Sequence, residues 1–469
     1  MIFRNLLQKT FSDSKIALSL AGTCVVLYLV IFAILYFVAS SHGTSLEKMI
    51  GLDLPHYADT TEYRNLAQSM LTEGRFSLGS VYPLESARVP GYPAFFAVVL
   101  TIFGTLLVVP LIQIALTAAT VALIFLIGIR YFPRPVAIAA AVLYMIDPIV
   151  VYAAWTPISE SLFMLLFVGS IYAIGFPMRR AWVPYVIAGI LFGLSLYVRL
   201  VVQYLALIVA CITFAQALPW KIRLRHAAIF LIAIFCVVGP WMARNYVQYG
   251  HFAMVPTHWQ LFAYNMALFE QARTGVSYEQ IQIQNTEQFG TTSEKILRQF
   301  EYSEEIRAIA LEKIFAHPFQ YTIFHLYKSA ALFFTSSIVK VKYHGHTFGI
   351  FAGEFQRGEG FYGMMVQKRW DDAFHQILNT LPRQIERVLY VSLYIFAFYV
   401  TILALLKRIP HATFIVCAFV MINVYALTIG PGSDETRYRM PIEPFVFLLG
   451  GYGVYLTALR IRSYFSRRH

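Results

Sequence analysis

The chain has 469 residues, 58% of them hydrophobic and 13% charged, with 37 Lys and Arg against 25 Asp and Glu for a formal net charge of +12. A water-soluble domain carries roughly 25% charged and 45 to 50% apolar residues, so the composition excludes a cytosolic enzyme, a secreted disulfide scaffold and a disordered tail. It describes a polytopic membrane protein, and the surplus of basic residues is first a statement about topology rather than nucleic-acid affinity.

Residues 16–39 follow Lys9 and Lys15 and form an apolar run longer than the roughly 7 to 15 residues of a signal-peptide core. They predict an uncleaved first membrane helix with its amino terminus in the cytoplasm. In the outer segment that follows, Tyr63, Leu66, Ala67, Met70 and Leu71 recur at helical spacing between Thr61 and Thr72, predicting a helix on the membrane surface that Gly74 stops. Arg88-Val-Pro-Gly-Tyr-Pro93 then opens a second one, with Pro90 and Pro93 fixing φ at the helix entry. Further runs near the required length of about 20 residues lie at 106–129, 135–152, 159–177, 182–199, 200–218, 226–243, 386–406, 411–430 and 440–459, and two shorter ones at 91–104 and 320–338.

Charge decides between topologies. Arg130 and Arg134, Arg179 and Arg180, Lys221 with Arg223 and Arg225, Lys407 and Arg408, and the tail Arg460, Arg462, Arg467 and Arg468 fall on one side only if the two shorter runs do not cross. The reading is therefore about ten spanning helices, with 91–104 and 320–338 as interfacial or re-entrant helices and both termini cytoplasmic. Residues 40–90, 244–385 and 430–439 are left outside, and Asp13 is the single acid of the cytoplasmic segments. The cysteines, Cys24, Cys211, Cys236 and Cys417, all lie in apolar runs without a CxxC pair and read as packing residues. No tandem repeat or inverted duplication is visible.

Several ionisable residues fall at the outer ends of predicted helices, where a charge is costly unless paired. Asp59 lies between the first membrane helix and the two interfacial helices; taken alone it is equally a solvated carboxylate or a helix N-cap. Glu160, three residues after Pro157, is either a paired carboxylate or a capping-box acid. Arg199 interrupts a long apolar stretch, and snorkelling is its alternative explanation. Arg244 and Asn245 end the seventh helix, and Arg437 and Arg439 stand at the mouth of the last. Converging arginines could bind a phosphate at headgroup level while a carboxylate beside it acts as base. His251 and His258 lack ligand spacing, but Asp59, Glu160 and His258 together are a candidate site for a divalent metal cation, the one cofactor the sequence suggests. Trp259, Tyr264, Phe361 and Trp370 could stack on sugars or belong to an aromatic girdle.

Taken in order, Asp59-Thr-Thr-Glu62-Tyr63, Leu66-Ala67, Gly74-Arg75-Phe76-Ser77, Arg88-Val-Pro-Gly-Tyr-Pro93, Ser159-Glu160, Trp241-Met-Ala-Arg244-Asn245 and Arg437-Tyr438-Arg439-Met-Pro441 run over almost the whole chain. The set resembles the bacterial polyprenyl-phosphate-dependent glycosyltransferases related to protein O-mannosyltransferases and aminoarabinose transferases. That resemblance implies an all-α C-type glycosyltransferase fold: a catalytic membrane module over 1–245 whose outer loop 40–105 carries juxtamembrane helices, an outer segment 246–385 with interfacial helices, and carboxy-terminal membrane helices over 386–469. It implies a cytoplasmic-membrane enzyme facing the periplasm or exterior that moves a sugar, with inversion, from polyprenyl phosphate to a hydroxyl of a glycan, lipid or protein.

On the resemblance, Asp59 matches the catalytic carboxylate, Glu160 the second acidic position, and Arg88 a basic or polar position before the second juxtamembrane helix. Arg88, Arg199, Arg244, Arg437 and Arg439 are the candidates for holding the donor phosphate, and Glu62, Tyr63, Asn245, His258 and Tyr438 for touching substrate. The eukaryotic-type relatives carry two adjacent acids at the first site, whereas here Thr60 follows Asp59. The rival readings are a lipid-linked sugar transporter or flippase, an O-antigen polymerase or ligase type of enzyme, and a membrane scaffold. Ionisable residues at helix ends rather than at the midplane favour the enzyme over the transporter.

Overall fold

The computed structural model describes residues 2–52, 58–78, 85–174, 176–216, 218–256, 258–289, 299–338, 370–432 and 436–466. Among them every regular element is helical: α1 (Ile2–Ser41), α2 (Leu46–Met49), α3 (Ala58–Thr72), α4 (Gly91–Phe103), α5 (Val109–Tyr131), α6 (Arg134–Ile146), α7 (Pro148–Trp155), α8 (Glu160–Ala173), α9 (Val183–Val198), α10 (Ala206–Ile212) and α11 (Trp220–Tyr249) in the first half. The second half adds α12 (Ala267–Thr274), α13 (Tyr278–Gln288), α14 (Ser303–Phe315), α15 (Pro318–Phe334), α16 (Trp370–Leu405), α17 (Ala412–Ile429) and α18 (Glu443–Ser466), with a π-helical stretch at Gln260–Met266.

Among the described residues six helices are long and apolar enough to cross a membrane: Ser12–Ser41 within α1, α5, α11, Leu381–Leu405 within α16, α17 and α18. The chain is a multi-pass membrane protein. The other four expected spans are helical but modified. α6 and α7 form one path bent by 57°, because Pro148 opens α7 while the Asp147 carboxylate caps it, accepting from Ile149 N at 2.9 Å. α8, α9 and the mixed helix Leu200–Ala215 are short; at 14 residues α8 rises about 21 Å, less than the roughly 30 Å of a hydrocarbon core. α9 stops because Arg199 adopts an extended conformation, φ −151° and ψ 126°, before the chain resumes as a 3-10 helix at Leu200. Irregular backbone at membrane depth is tolerated where protein surrounds it, and these breaks coincide with the ionisable residues described below.

The two runs expected not to cross are a 13-residue helix, α4, and a 17-residue helix, α15, neither among the six. α3 begins at Ala58, three residues ahead of the expected start, which puts Asp59 in its first turn. Its Tyr63, Leu66 and Ala67 are buried while Leu71 is exposed, and it packs along α4. Gly74, at φ +62°, lies just past its end.

The main core runs from Ala17 to Tyr452, with α5 against α1, α6 and α8, α9 between α8 and α11, and α18 between α6 and α16. A separate small core of Trp259, Phe262, Ala263, Met266, Ile306, Ala310 and Ile314 ties the π-helical stretch to α14. α8 gives the bundle a polarity. Its first residue is Glu160, and at its other end Arg130 donates to the carbonyls of Tyr172 and Ile174, so an acid sits on the positive end of the helix dipole and a cation on the negative end. Arg134, close to Arg130 in sequence, pairs with Asp13.

Candidate functional site at the outer helix ends

Asp59, Glu62, Arg88, Glu160, Arg199, Arg437 and Tyr438 come from five separate stretches of the chain and meet at the Glu160 end of α8. Three local features bring them there. The Thr60 hydroxyl, in the first turn of α3, is buried and donates to the Pro157 carbonyl at 3.1 Å, tying Asp59 to the segment just ahead of Glu160. A carboxylate at position 60 could not donate that bond, which explains why a threonine follows Asp59. Gln113, fully buried on α5, donates to the carbonyls of Ala153 and Ile158 and fixes the same segment from below. Gly91 opens α4 against α9: a Cβ there would lie 2.5 Å from the Tyr197 carbonyl oxygen, so only glycine lets the segment carrying Arg88 approach the segment carrying Arg199.

Both oxygens of Asp59 are occupied. Arg88 Nη2 donates to Oδ1 at 2.8 Å and Arg437 Nη1 to Oδ2 at 2.6 Å. Arg88 also holds Glu62 through Nε at 2.8 Å, which leaves it chelated by two carboxylates. Arg199 pairs with Glu160, whose side chain is 2% exposed, and Arg437 Nη1 lies 3.9 Å from the same Glu160 Oε1. The second oxygen of Glu160 is buried without a hydrogen-bond partner among the described residues. Tyr438 completes the cluster, with the guanidinium carbons of Arg199 and Arg437 each 5.5 Å from its ring centre, and Tyr63 lies 5.5 Å from that of Arg88.

Burial by itself would raise the Asp59 carboxyl, but the Arg437 guanidinium and then Arg88 outweigh it and hold the group well below the usual carboxylate range. Burial and the Asp59 charge push the Tyr63 phenol up, so it is a neutral hydrogen-bonding group at neutral pH. Three guanidiniums face three carboxylates in the cluster, so it is close to neutral when empty. An arriving anion must therefore take a guanidinium from a carboxylate. Arg88 holds both Asp59 and Glu62, and Arg437 Nη1 faces both Asp59 and Glu160.

The remaining candidates lie elsewhere. Arg244 donates from Nη1 to Asn245 Oδ1 at 2.7 Å and to the Glu85 carbonyl at 3.4 Å, and lies 4.6 Å from the Trp241 ring centre. Asn245 is fully buried and donates to the carbonyls of Ala253 and Met254, which makes it a clip for the chain leaving α11 rather than a group open to substrate. His258 is buried at the edge of the small outer core, and His251 stacks on Phe300 at 5.0 Å. Trp259 belongs to the small core, Tyr264 is 42% exposed, and Phe361 and the Trp370 side chain lie outside the described residues.

The expected divalent-metal set does not assemble. Among the described residues no group of three His, Cys, Asp or Glu is placed to hold a metal ion, and Asp59 has two cations on its oxygens. The residues present do not fit a dication between Asp59, Glu160 and His258.

Arg439 is also set apart. It is 1% exposed and lies in a second cluster that the sequence reading missed: Nε donates to Glu443 at 3.0 Å, Nη2 to Glu386 at 3.0 Å and to the Ser337 hydroxyl at 2.8 Å, and Nη1 to the Thr335 carbonyl at 2.6 Å. Its guanidinium lies 3.5 Å from the Tyr390 ring centre, and Tyr390 bonds to both Asp147 and Glu443. With its donors spent on α15, α16 and α18, Arg439 is withdrawn from the phosphate-binding role expected of it. Asp147 lies inside an apolar run and Glu386 and Glu443 stand at the starts of two others, and an acid at such a place was the available signal.

No family model matches the chain, and no curated protein does. Two solved structures are similar to it. The archaeal oligosaccharyltransferase AglB from Archaeoglobus fulgidus, in complex with an inhibitory peptide and a dolichol-phosphate, is 12% identical over 94% of this chain and 51% of that one, with a TM-score of 0.45. ArnT from Cupriavidus metallidurans, in the apo state, is 15% identical over 92% of this chain and 78% of that one, with a TM-score of 0.34. The chain thus spans about half the length of the archaeal protein.

Proposed function

We propose that this protein is a membrane glycosyltransferase that moves a sugar from a polyprenyl-phosphate donor to an acceptor hydroxyl, with Asp59 as general base. The observation that carries the reading is Asp59 itself: a carboxylate in the first turn of α3, gripped by Arg88 and Arg437 with the Arg199–Glu160 pair alongside. Guanidiniums in this density match a phosphate in geometry and charge. A carboxylate among them that can be released supplies the base. The motif order along the chain, which resembles polyprenyl-phosphate-dependent glycosyltransferases, supports the same assignment, as does the position of the cluster at helix ends, where a lipid headgroup lies.

In this mechanism the donor phosphate draws Arg437 and Arg199 to its oxygens and so unmasks Asp59 Oδ2. The freed carboxylate accepts the proton of the acceptor hydroxyl as that oxygen bonds to the anomeric carbon from the side opposite the phosphate. The bond between the anomeric carbon and the phosphate oxygen breaks with its electron pair on phosphate, and the configuration inverts. The guanidiniums stabilise the second negative charge that the leaving phosphate gains, and the proton on Asp59 passes to solvent. Glu160 orients Arg199 throughout. The acceptor approaches from the outer segment 246–385, at the outer face of the cytoplasmic membrane with both termini inside.

Transfer of radiolabelled sugar from a panel of synthetic polyprenyl-phosphate sugars, by the wild-type protein and by Asp59→Asn, tests this reading. Label leaving the carrier only with wild-type Asp59 is the expected result. Carrier that binds or crosses vesicles without releasing sugar from any donor would replace the enzyme with a transporter.

A further inference from the structure

Arg437 and Arg439 share the short 3-10 turn Thr436–Arg439, and just beyond it Ile442 N donates to the Arg439 carbonyl at 3.0 Å as α18 begins. A 3-10 helix advances about 120° per residue. Side chains two residues apart therefore leave the turn on different sides, one toward the Asp59 cluster and one into the core. A rotation of the turn by one residue would swing Arg437 roughly 120° away from Asp59. Something must set that rotation, and the Arg439 side chain ties the turn to three neighbouring helical segments.

Its partners are the end of α15 through Thr335 and Ser337, α16 through Glu386 and the Tyr390 ring, and the start of α18 through Glu443. Asp147, at the bend between α6 and α7, lies 3.9 Å away. Glu386 is itself fixed, accepting from the Ser336 hydroxyl and from Ser337 N at 2.7 Å. Well-packed apolar residues often stabilise a core as well as a buried ion pair does, so a network of this extent is more than stability requires. What it adds is a single orientation for the turn.

We propose that Arg439 is a positioning residue, which clamps the 436–439 turn to α15, α16 and α18 so that Arg437 and Tyr438 face Asp59, Glu160 and Arg199. The proposal rests on reading the Asp59 cluster as the phosphate site, but the order of the turn is measurable apart from that reading. The full chain in detergent micelles is compared as wild type, Arg439→Lys, Glu386→Gln and Gly450→Ala. Lysine keeps the charge and loses the planar fork. A Cβ at Gly450 would lie 2.5 Å from the Leu393 carbonyl oxygen, a packing defect between α18 and α16 that serves as the stability control.

Backbone hydrogen exchange of the 436–442 peptide and binding of a polyprenyl monophosphate are the two readouts. With far-UV circular dichroism unchanged, Arg439→Lys should raise exchange at the turn and weaken phosphate binding, each by about tenfold, the effect of losing a charge-assisted bond; Gly450→Ala should lower the melting temperature and leave both at wild-type values. Wild-type exchange and affinity in folded Arg439→Lys, or equal changes in Gly450→Ala, would overturn the proposal. Should Arg439→Lys fail to fold, Glu386→Gln is judged by the same two measurements and the same two outcomes. Wild-type protein that binds no polyprenyl monophosphate overturns the phosphate-site reading alone, and exchange at the turn still decides the role of Arg439.

Discussion

Two arginines on one turn occupy opposite surroundings. The Arg437 side chain is 21% exposed, and Asp59, with which it pairs, is equally open at 21%; the Arg439 side chain is 1% exposed, with Glu443 at 0% and Glu386 at 8%. The outer cluster has solvent access and close charge balance, so its pairs can be exchanged for pairs with a ligand. The inner cluster has neither property. Its guanidinium is held by Glu443, Glu386, the Ser337 hydroxyl and the Thr335 carbonyl, and removing Arg439 leaves buried carboxylates without their cation. Pairing alone therefore does not identify a binding group; access to something that can replace the partner does.

The largest effect expected on that contrast is chemical. Asp59→Asn should lower turnover by about 10² to 10⁴-fold, the usual worth of a general base, while the protein stays folded and donor-bound. Normal turnover in this variant would remove Asp59 from the mechanism. Next in size is stability at the inner cluster. Arg439→Met should destabilise the protein by about 3 to 5 kcal/mol, because it strands buried carboxylates, whereas Arg437→Met should cost about 1 kcal/mol, since Asp59 keeps Arg88 and Glu160 keeps Arg199. Thermal unfolding of the two variants side by side decides it, and equal losses would erase the distinction drawn here. The order should invert for the donor: Arg437→Ala should raise its apparent KM by about 10 to 100-fold, the worth of a lost charge-assisted hydrogen bond.

A smaller effect is expected where the backbone frames the outer cluster. Gly91→Ala should destabilise by about 1 to 3 kcal/mol through overpacking against the Tyr197 carbonyl. It should also reduce transfer, because α4 moves away from α9 and carries Arg88 with it. A neutral melting temperature would show that the α4 contact yields freely and that glycine is not required there.

The outer cluster was the more legible of the two, for a physical reason. Its members lie at helix ends and in polar loops, where Asp59, Arg88, Glu160, Arg199 and Arg437 each interrupt a pattern. Charge asymmetry between loops then places them on one side of the bilayer. The inner cluster is assembled from Asp147, Glu386 and Glu443, which a hydropathy window absorbs into its spans, and only the packing of α6, α16 and α18 brings them within reach of Arg439. An apolar run at 182–218 is divisible into two spans by count, yet the break is fixed by Arg199 turning its guanidinium to Glu160, a contact across 39 residues. Thr60 gave no sign of its bond to Pro157, because a threonine beside an acid has the composition of any helix start.

The smallest expected effect is on pH, and its sign follows from the ion pairs. Asp59 has its folded pKa depressed by Arg437 and Arg88 against the burial that would raise it, so its contribution to stability is fully present above the unfolded value of about 3.9 and fades as pH falls below that toward the folded pKa. The difference in melting temperature between wild type and Asp59→Asn should therefore be constant from about pH 8 to pH 5 and shrink below about pH 4. The masked state also makes a kinetic prediction. The acid limb of kcat/KM reports the free enzyme and that of kcat the donor complex. If phosphate takes Arg437 from Asp59, the complex holds the less strongly depressed carboxylate, and the kcat limb should lie at higher pH than the kcat/KM limb. Coincident limbs would mean that Asp59 keeps both arginines when donor is bound, and would leave it an electrostatic partner of the phosphate site rather than the base.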